Sequence, residues 1–277
     1  MNLWLLIWIF LLGLCLGSFL NVCIHRLPQG ESVVHPRSRC PACKKPIAAY
    51  DNIPLVSYLL LRGRCRHCGR HISLLYPAVE LLTGLTLVLV YFRFGLSPAA
   101  LKATLLAGAL IVLIFTDLRD RLLPDAITFP GIAAGFVFAL WLPLEDGTAA
   151  LLLRLFGGIS LPPLALSLSD AVLGALLGAG LLFVLGEVWY RVRHVEAMGL
   201  GDVKMMAMVG LFLGVKLTVF TLLLGSLVGS LVGGGFMLLT RKDSNYELPL
   251  GTFLGLAALV ALFWGPALVT AYMSLFQ

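Results

Sequence analysis

Hydrophobic residues fall into long blocks along this chain. Eight blocks are mostly apolar over about the 17–25 residues that a helix needs to cross a bilayer: 3–20, 77–94, 99–116, 126–142, 170–189, 203–215, 217–239 and 250–274. The strands of an outer-membrane barrel would instead alternate apolar and polar residues. A segment in lipid must satisfy its backbone hydrogen bonds internally. The pattern therefore predicts an all-α polytopic membrane protein with about eight transmembrane helices, of which the sixth is short.

Composition and charge agree with this reading. Hydrophobic residues make up 60% of the 277 residues and charged residues 12%, against about 45–50% and 25% in soluble domains. If the first helix enters with its N-terminus outside, 16 of the 20 Lys and Arg residues fall in the four connections on the cytoplasmic side: 21–76, 117–125, 190–204 and 240–249. Basic residues favour the cytoplasmic side. The net charge of +6 therefore predicts contact with membrane lipid, and no nucleic acid partner.

One connection is long, polar and rich in cysteine and proline. It predicts three parts: a first transmembrane helix at 1–20, a cytoplasmic domain at 21–76, and a seven-helix membrane domain at 77–277. A domain as small as 21–76 usually needs a staple such as a metal. The longest outer connection, 143–169, is expected to lie along the membrane interface and is assigned no function.

The candidate staple is a repeated cysteine motif. The units Cys40-Pro-Ala-Cys43 and Cys65-Arg-His-Cys68 are each followed at the same spacing by isoleucine, and 21 residues separate them. Two such C-x-x-C turns supply the four thiolates of a tetrahedral zinc site, which has no open position and so stabilises the fold. Disulfides or a redox-active C-x-x-C are the alternatives. A reducing cytoplasm disfavours the first, and the lack of a βαβ pattern disfavours the second.

Most of the acidic residues have simple structural interpretations. Asp125 and Asp170 are expected to cap the fourth and fifth predicted helices. Three further acids are expected to pair with nearby arginines on the cytoplasmic side: Glu80, Glu187 and Glu196.

Asp117 and Asp202 differ because each stands at the cytoplasmic boundary of an apolar block, where charge is costly and often functional. Asp202 follows Gly199-Leu200-Gly201, whose glycines permit a tight non-helical turn and close approach to another segment. Two carboxyl groups a few ångströms apart share one proton and can activate water as base and acid. The helix macrodipole predicts that the charge of this pair resides on Asp202, at a helix N-terminus. A purely structural role for both acids remains an alternative at this point.

Several segments together resemble the bacterial type IV prepilin peptidases. They run in the same order along nearly the whole chain: residues 17–22 (GSFLNV), 35–40 (HPRSRC), the two cysteine units, 50–54 (YDNIP), Asp117 with 123–125 (LPD), and 199–204 (GLGDVK). The chain departs from the family pattern at Leu75, where a basic residue is common, and at Leu200, where a third glycine is common.

The resemblance implies an aspartic endopeptidase of the G-x-G-D class with Asp117 and Asp202 as its catalytic residues. It implies that Cys40, Cys43, Cys65 and Cys68 bind structural Zn²⁺. The expected reaction removes the leader peptide of type IV prepilins and pseudopilins at the cytoplasmic face of the bacterial inner membrane. A second expected activity is N-methylation of the new N-terminal residue, with S-adenosylmethionine as methyl donor.

Other functions fit the sequence less well. A transporter could use the two aspartates as a cation site, but its two related halves are not visible. A zinc-binding membrane scaffold would leave the boundary aspartates unexplained. A peptidase of the archaeal preflagellin type would be expected to lack the four-cysteine insertion.

Overall fold

The computed structural model describes residues 2–144, 146–156, 161–194, 199–240 and 249–276. Within these ranges the chain is helical and contains no β-strand beyond two isolated bridges. The α-helices are α1 Leu3–Arg26, α2 Val56–Leu60, α3 Leu75–Phe94, α4 Pro98–Asp120, α5 Asp125–Trp141, α6 Thr148–Phe156, α7 Pro163–Arg193, α8 Leu200–Thr240 and α9 Leu250–Met273. The predicted all-α class is confirmed.

The predicted number of spans is not confirmed. Among the described residues six helices are long and apolar enough to cross a membrane, and α5 is a shorter apolar helix. Two predicted blocks, 203–215 and 217–239, lie within the single element α8. The connection 143–169 contains α6, a helix that the sequence analysis did not predict.

Helix α8 is interrupted at Gly214, whose backbone is not helical (φ 81°, ψ −173°). Side-chain contacts show that the two parts of α8 lie side by side. A methyl group on Gly178 of α7 would lie 3.0 Å from the Met206 carbonyl oxygen and 2.9 Å from Thr218 Cγ2. Residues on either side of Gly214 thus reach the same point on α7, so α8 is a helical hairpin with Gly214 at its tip.

The chain forms two compact units, residues 1–100 and 101–277. In the first, α1 packs on α3 through small residues, since a methyl group on Gly13 would meet Gly84 Cα at 2.7 Å. In the second, Gly174 and Gly178 allow close packing of α7 on α8. The buried core of this unit centres on the first part of α8, with Met205, Met206, Met208 and Val209 fully buried.

The capping roles predicted for Asp170 and Asp125 are wrong. Helix α7 begins at Pro163, seven residues before Asp170. Asp170 instead accepts hydrogen bonds from the backbone N–H groups of Gly147 (3.1 Å) and Ala149 (2.6 Å), at the start of α6. Asp125 is the first residue of α5, directly after the N-cap residue Pro124, and its carboxylate accepts a hydrogen bond from Lys204.

Candidate active site and metal centre

The two cysteine units fold into nearly identical turns. In the first, the Cys40 N–H donates to the Lys45 carbonyl (3.0 Å) and the Lys44 N–H donates to the Cys40 carbonyl (2.9 Å). The second repeats both bonds between Cys65 and Arg70 and between Gly69 and Cys65, at 2.9 Å each. The repeated isoleucines close the two turns in the same way, by donating to the carbonyls of Ser38 and Gly63 at 2.8 Å. The repeat seen in the sequence is therefore a repeat in structure.

The turns bring four thiols into one cluster. The sulfur atoms of Cys40, Cys43, Cys65 and Cys68 all lie within 4.8 Å of one another, and those of Cys40 and Cys68 are 3.9 Å apart. A tetrahedral site with zinc–sulfur bonds of about 2.3 Å has sulfur–sulfur edges of about 3.8 Å. The cluster could therefore hold one metal ion. His67 and His71, beside the second turn, are exposed.

The thiols of Cys40 and Cys68 differ in the direction in which their pKa is shifted. Hydrogen bonding by the Cys43 backbone N–H lowers the pKa of the Cys40 thiol to about 7. A backbone hydrogen bond from Arg70 acts in the same sense on Cys68, but burial and the neighbouring sulfurs raise its pKa to about 11. Holding all four sulfurs as thiolates therefore requires compensating positive charge, which a bound metal ion supplies.

An ion pair connects the second cysteine turn to the segment 50–54. Arg66 donates to both carboxylate oxygens of Asp51, with its closest contact at 2.6 Å, and its guanidinium lies 5.5 Å from the centroid of the Tyr50 ring. These hydrogen bonds hold the pKa of Asp51 below its ordinary value. The segment 50–54 thus contacts the residues between the second pair of cysteines.

Asn21 of α1 and Glu80 of α3 are buried polar side chains where these two helices pack together. Among the residues that the structure describes, Glu80 does not pair with an arginine as predicted. It accepts a hydrogen bond from the backbone N–H of Leu55 (2.8 Å), a residue with positive φ. Asn21 donates to the Tyr76 carbonyl (2.9 Å). Of the other acids predicted to pair, Glu187 contacts Arg191 at 2.8 Å, and Glu196 lies outside the described residues.

Asp117 lies in the last turn of α4 and is 6% exposed. Its oxygen Oδ2 accepts two hydrogen bonds from Thr252 of α9, one from the backbone N–H (2.6 Å) and one from the hydroxyl (2.8 Å). Asp117 is therefore held by another helix, although 135 residues separate the partners in sequence.

Asp202 lies in the first turn of α8 and is 9% exposed. Its oxygen Oδ1 is buried and has no hydrogen-bond partner among the described residues. The hydrogen bonds thus favour charge on Asp117, opposite to the prediction from the helix macrodipole. Of the two preceding glycines, Gly201 is helical, whereas Gly199 lies just before the start of α8 at Leu200. Close approach is confirmed, since a methyl group on Gly201 would lie 2.9 Å from Leu123 Cβ.

Gly251, at the start of α9, connects the two acids in space. A methyl group there would lie 2.8 Å from Asp202 Oδ1, 3.2 Å from Asp117 Cγ and 3.0 Å from Leu123 Cδ1. Both carboxyl groups therefore contact the same point at one end of the unit formed by residues 101–277. Sequence analysis missed Gly251 and Thr252. The available signal was a Gly-Thr pair directly after Pro249-Leu250, where the last apolar block begins.

A surface ion pair joins the other two motifs of this region. Lys204 Nζ lies 2.7 Å from Asp125 Oδ1 and 5.1 Å from the centroid of the Phe129 ring. Both charged side chains are partly exposed, so the pair lies at the rim of the carboxyl site. The segments 123–125 and 199–204 thus meet, as their joint presence in the sequence suggested.

Fold and site together define a class: a helical membrane protein with two buried carboxyl groups at one end of a helical unit and a separate four-cysteine cluster. Residues 104–234 match the type IV leader peptidase family, and residues 11–94 match the bacterial peptidase A24 N-terminal domain. The chain belongs to this leader peptidase family.

The relatives match most of this chain. The prepilin leader peptidase/N-methyltransferase of Aeromonas hydrophila is 39% identical, over 97% of this chain and 93% of that protein. The proteins of the same name from Myxococcus xanthus and Pseudomonas aeruginosa are 38% and 35% identical, over 88% and 95% of this chain and 68% and 91% of their own. No solved structure matches the chain.

Proposed function

We propose that this chain is an aspartic endopeptidase that removes the leader peptide of type IV prepilins and pseudopilins, with Asp117 and Asp202 as its catalytic residues. The observation that carries the proposal is the approach of both carboxyl groups to Gly251 in a buried site. Membership of the leader peptidase family and the names of the relatives support the reaction.

The chemistry follows from the hydrogen bonds. Asp117, which accepts two hydrogen bonds from Thr252, acts as the carboxylate base that removes a proton from water. The resulting hydroxide attacks the carbonyl carbon of the scissile peptide bond. Asp202 carries the proton shared by the pair and donates it to the carbonyl oxygen as the tetrahedral intermediate forms. As this intermediate collapses, Asp117 passes the proton it took from water to the amine of the mature pilin, and Asp202 regains a proton from a hydroxyl of the intermediate. The leader then leaves with a new C-terminal carboxyl group.

The proposal places the reaction at the cytoplasmic face of the bacterial inner membrane. Arg119, Arg121 and Lys204 follow the catalytic residues closely in sequence, and basic residues favour the cytoplasmic side. A leader peptide outside the bilayer could therefore reach the two aspartates, with the N-terminus of the enzyme on the opposite side.

The second part of the proposal concerns the segment 21–76. We assign structural Zn²⁺ to Cys40, Cys43, Cys65 and Cys68, because four thiolates in tetrahedral range suit this ion. N-methylation of the newly exposed N-terminal residue is included because the relatives carry that activity in their name. S-adenosylmethionine would supply the methyl group.

One experiment tests both activities. Purified wild type, Asp117→Ala and Asp202→Ala are incubated with a prepilin, with and without S-adenosylmethionine, and the products are weighed by mass spectrometry. Both variants should fail to cleave, whereas the control Asp125→Asn, which changes an exposed acid at the rim, should cleave. Full cleavage by either alanine variant would contradict the catalytic assignment. A mass gain of one methyl group on the cleaved product should require the donor.

A further inference from the structure

We propose that Gly251 and Thr252 form a third component of the catalytic centre. Thr252 is a positioning residue for Asp117, and the missing side chain of Gly251 leaves room for the water molecule and the scissile peptide bond. This inference rests on the proposed peptidase function and assigns roles to the first turn of α9. Neither residue carries a group that reacts.

Thr252 fixes the orientation of Asp117. Its N–H and its hydroxyl both bind Oδ2, at 2.6 and 2.8 Å. The hydroxyl also lies 3.3 Å from the Ile114 carbonyl, but it has a single proton and the carboxylate is the nearer acceptor. Because both donors act on Oδ2, the other oxygen of Asp117 is left for proton transfer.

Burial makes this arrangement hard to replace. Thr252 and Asp117 are each 6% exposed, so bulk water has little access to substitute for a lost hydroxyl. A carboxylate deprived of one donor can rotate about its χ2 torsion, which is broad. Such rotation would misalign Asp117 with the water it activates, and small misplacements of catalytic groups lower the rate strongly.

Gly251 keeps open the space that both acids face. Any side chain there would occupy the position within 2.8 Å of Asp202 Oδ1 and 3.2 Å of Asp117 Cγ. A water molecule and the scissile peptide bond must occupy this region if both carboxyl groups act on one carbonyl. The backbone of Gly251 is helical rather than left-handed. A glycine is therefore not required here by its backbone conformation. It is required by the space that must remain between the two carboxyl groups.

A purely structural role is the competing explanation. The N–H of Thr252 lies in the first turn of α9, where backbone donors lack partners within the helix. Asp117 could serve only as a cap that ties α4 to α9. That role would make Thr252 important for stability and for substrate binding alike. A Thr252 variant whose kcat falls while its KM stays unchanged supports the positioning role. A variant that loses stability as well supports the purely structural role.

The test uses the full-length enzyme in detergent with a prepilin substrate, and measures kcat, KM and the melting temperature. Thr252→Val keeps the shape and the N–H but removes the hydroxyl, so kcat should fall about 10- to 100-fold with KM nearly unchanged. Thr252→Ser should restore most of kcat. Gly251→Ala should lower kcat about tenfold or more, and it should also lower the melting temperature, because the added methyl group would lie 2.8 Å from Asp202 Oδ1.

The matched control is Thr221→Val. Thr221 is also buried, and within the described part of the chain its hydroxyl binds only the Leu217 carbonyl of its own helix, so kcat should remain near wild type. Wild-type kcat in Thr252→Val would overturn the inference, as would equal losses in Thr252→Ser and Thr252→Val accompanied by lower melting temperatures. Asp117→Ala in the same series separates the two proposals: full cleavage by it refutes the peptidase assignment, whereas an inactive Asp117→Ala beside an unaffected Thr252→Val refutes only the role of Thr252.

Discussion

The hairpin tip at Gly214 offers the sharpest test of the fold, through the substitution Gly214→Ala. With φ 81° and ψ −173°, Gly214 occupies a backbone region that is essentially restricted to glycine. Forcing another residue into such a region costs about 1–3 kcal/mol. A methyl group at this position would also lie 2.6 Å from Asp146 Oδ2, so Asp146 must move.

Movement of Asp146 has its own cost. Its Oδ2 accepts a hydrogen bond from the Lys216 backbone N–H at 2.8 Å, and the Lys216 ammonium binds the Asp146 carbonyl. A hydrogen bond to a charged group contributes about 1.5–3 kcal/mol. Together the two effects should lower the free energy of unfolding by about 2.5–6 kcal/mol.

The assay compares wild type, Gly214→Ala and Gly180→Ala by unfolding in bicelles. Gly180 is a matched control, because a methyl group there meets nothing within 4 Å and its φ is not positive. Its substitution should be neutral or slightly stabilising. In an Asp146→Ala background, Gly214→Ala should cost only the backbone strain of about 1–3 kcal/mol. A stability within about 1 kcal/mol of wild type for Gly214→Ala would refute the reasoning.

Two further predictions concern the metal and the rim of the site. Purified protein should contain one zinc ion per chain by elemental analysis. Cys40→Ser or Cys68→Ser should lose the ion, because each removes one of four clustered ligands, whereas the exposed controls His67→Ala and His71→Ala should keep it. Full zinc content in both cysteine variants would contradict the assignment. The Lys204–Asp125 pair is partly exposed, so a double-mutant cycle with Lys204→Met and Asp125→Asn should give a coupling energy of only about 0.2–1 kcal/mol. A coupling above about 2 kcal/mol would show that the pair is part of the buried site instead.

The sequence was most informative where chemistry depends on residue type and local spacing. Long apolar blocks predicted helices because lipid offers no other partner for the backbone. The repeated C-x-x-C-x-x-x-I unit predicted two equivalent turns, and both form with matching hydrogen bonds. Asp117 and Asp202 were selected because charge at the end of an apolar block is costly.

Local spacing misled where the partner lies far away in the chain. Asp125 and Asp170 stand where a capping residue is expected, yet they bind Lys204 and the start of α6. The macrodipole argument for Asp202 used only its own helix, whereas the hydrogen bonds to Asp117 come from Thr252 of α9. The count of eight spans is not confirmed: six described helices are long and apolar enough to cross a membrane, and the blocks 203–215 and 217–239 lie on either side of Gly214 within α8.

The sequence by itself determined the class of fold, the cysteine turns and the two candidate acids, because each follows from hydrophobicity or from contacts between near neighbours in the chain. Only the tertiary structure decided that Asp117 and Asp202 meet at Gly251 and that Thr252 holds Asp117. Those contacts join the ends of three helices across up to 135 residues of intervening chain, and helix packing rather than any local pattern brings them together.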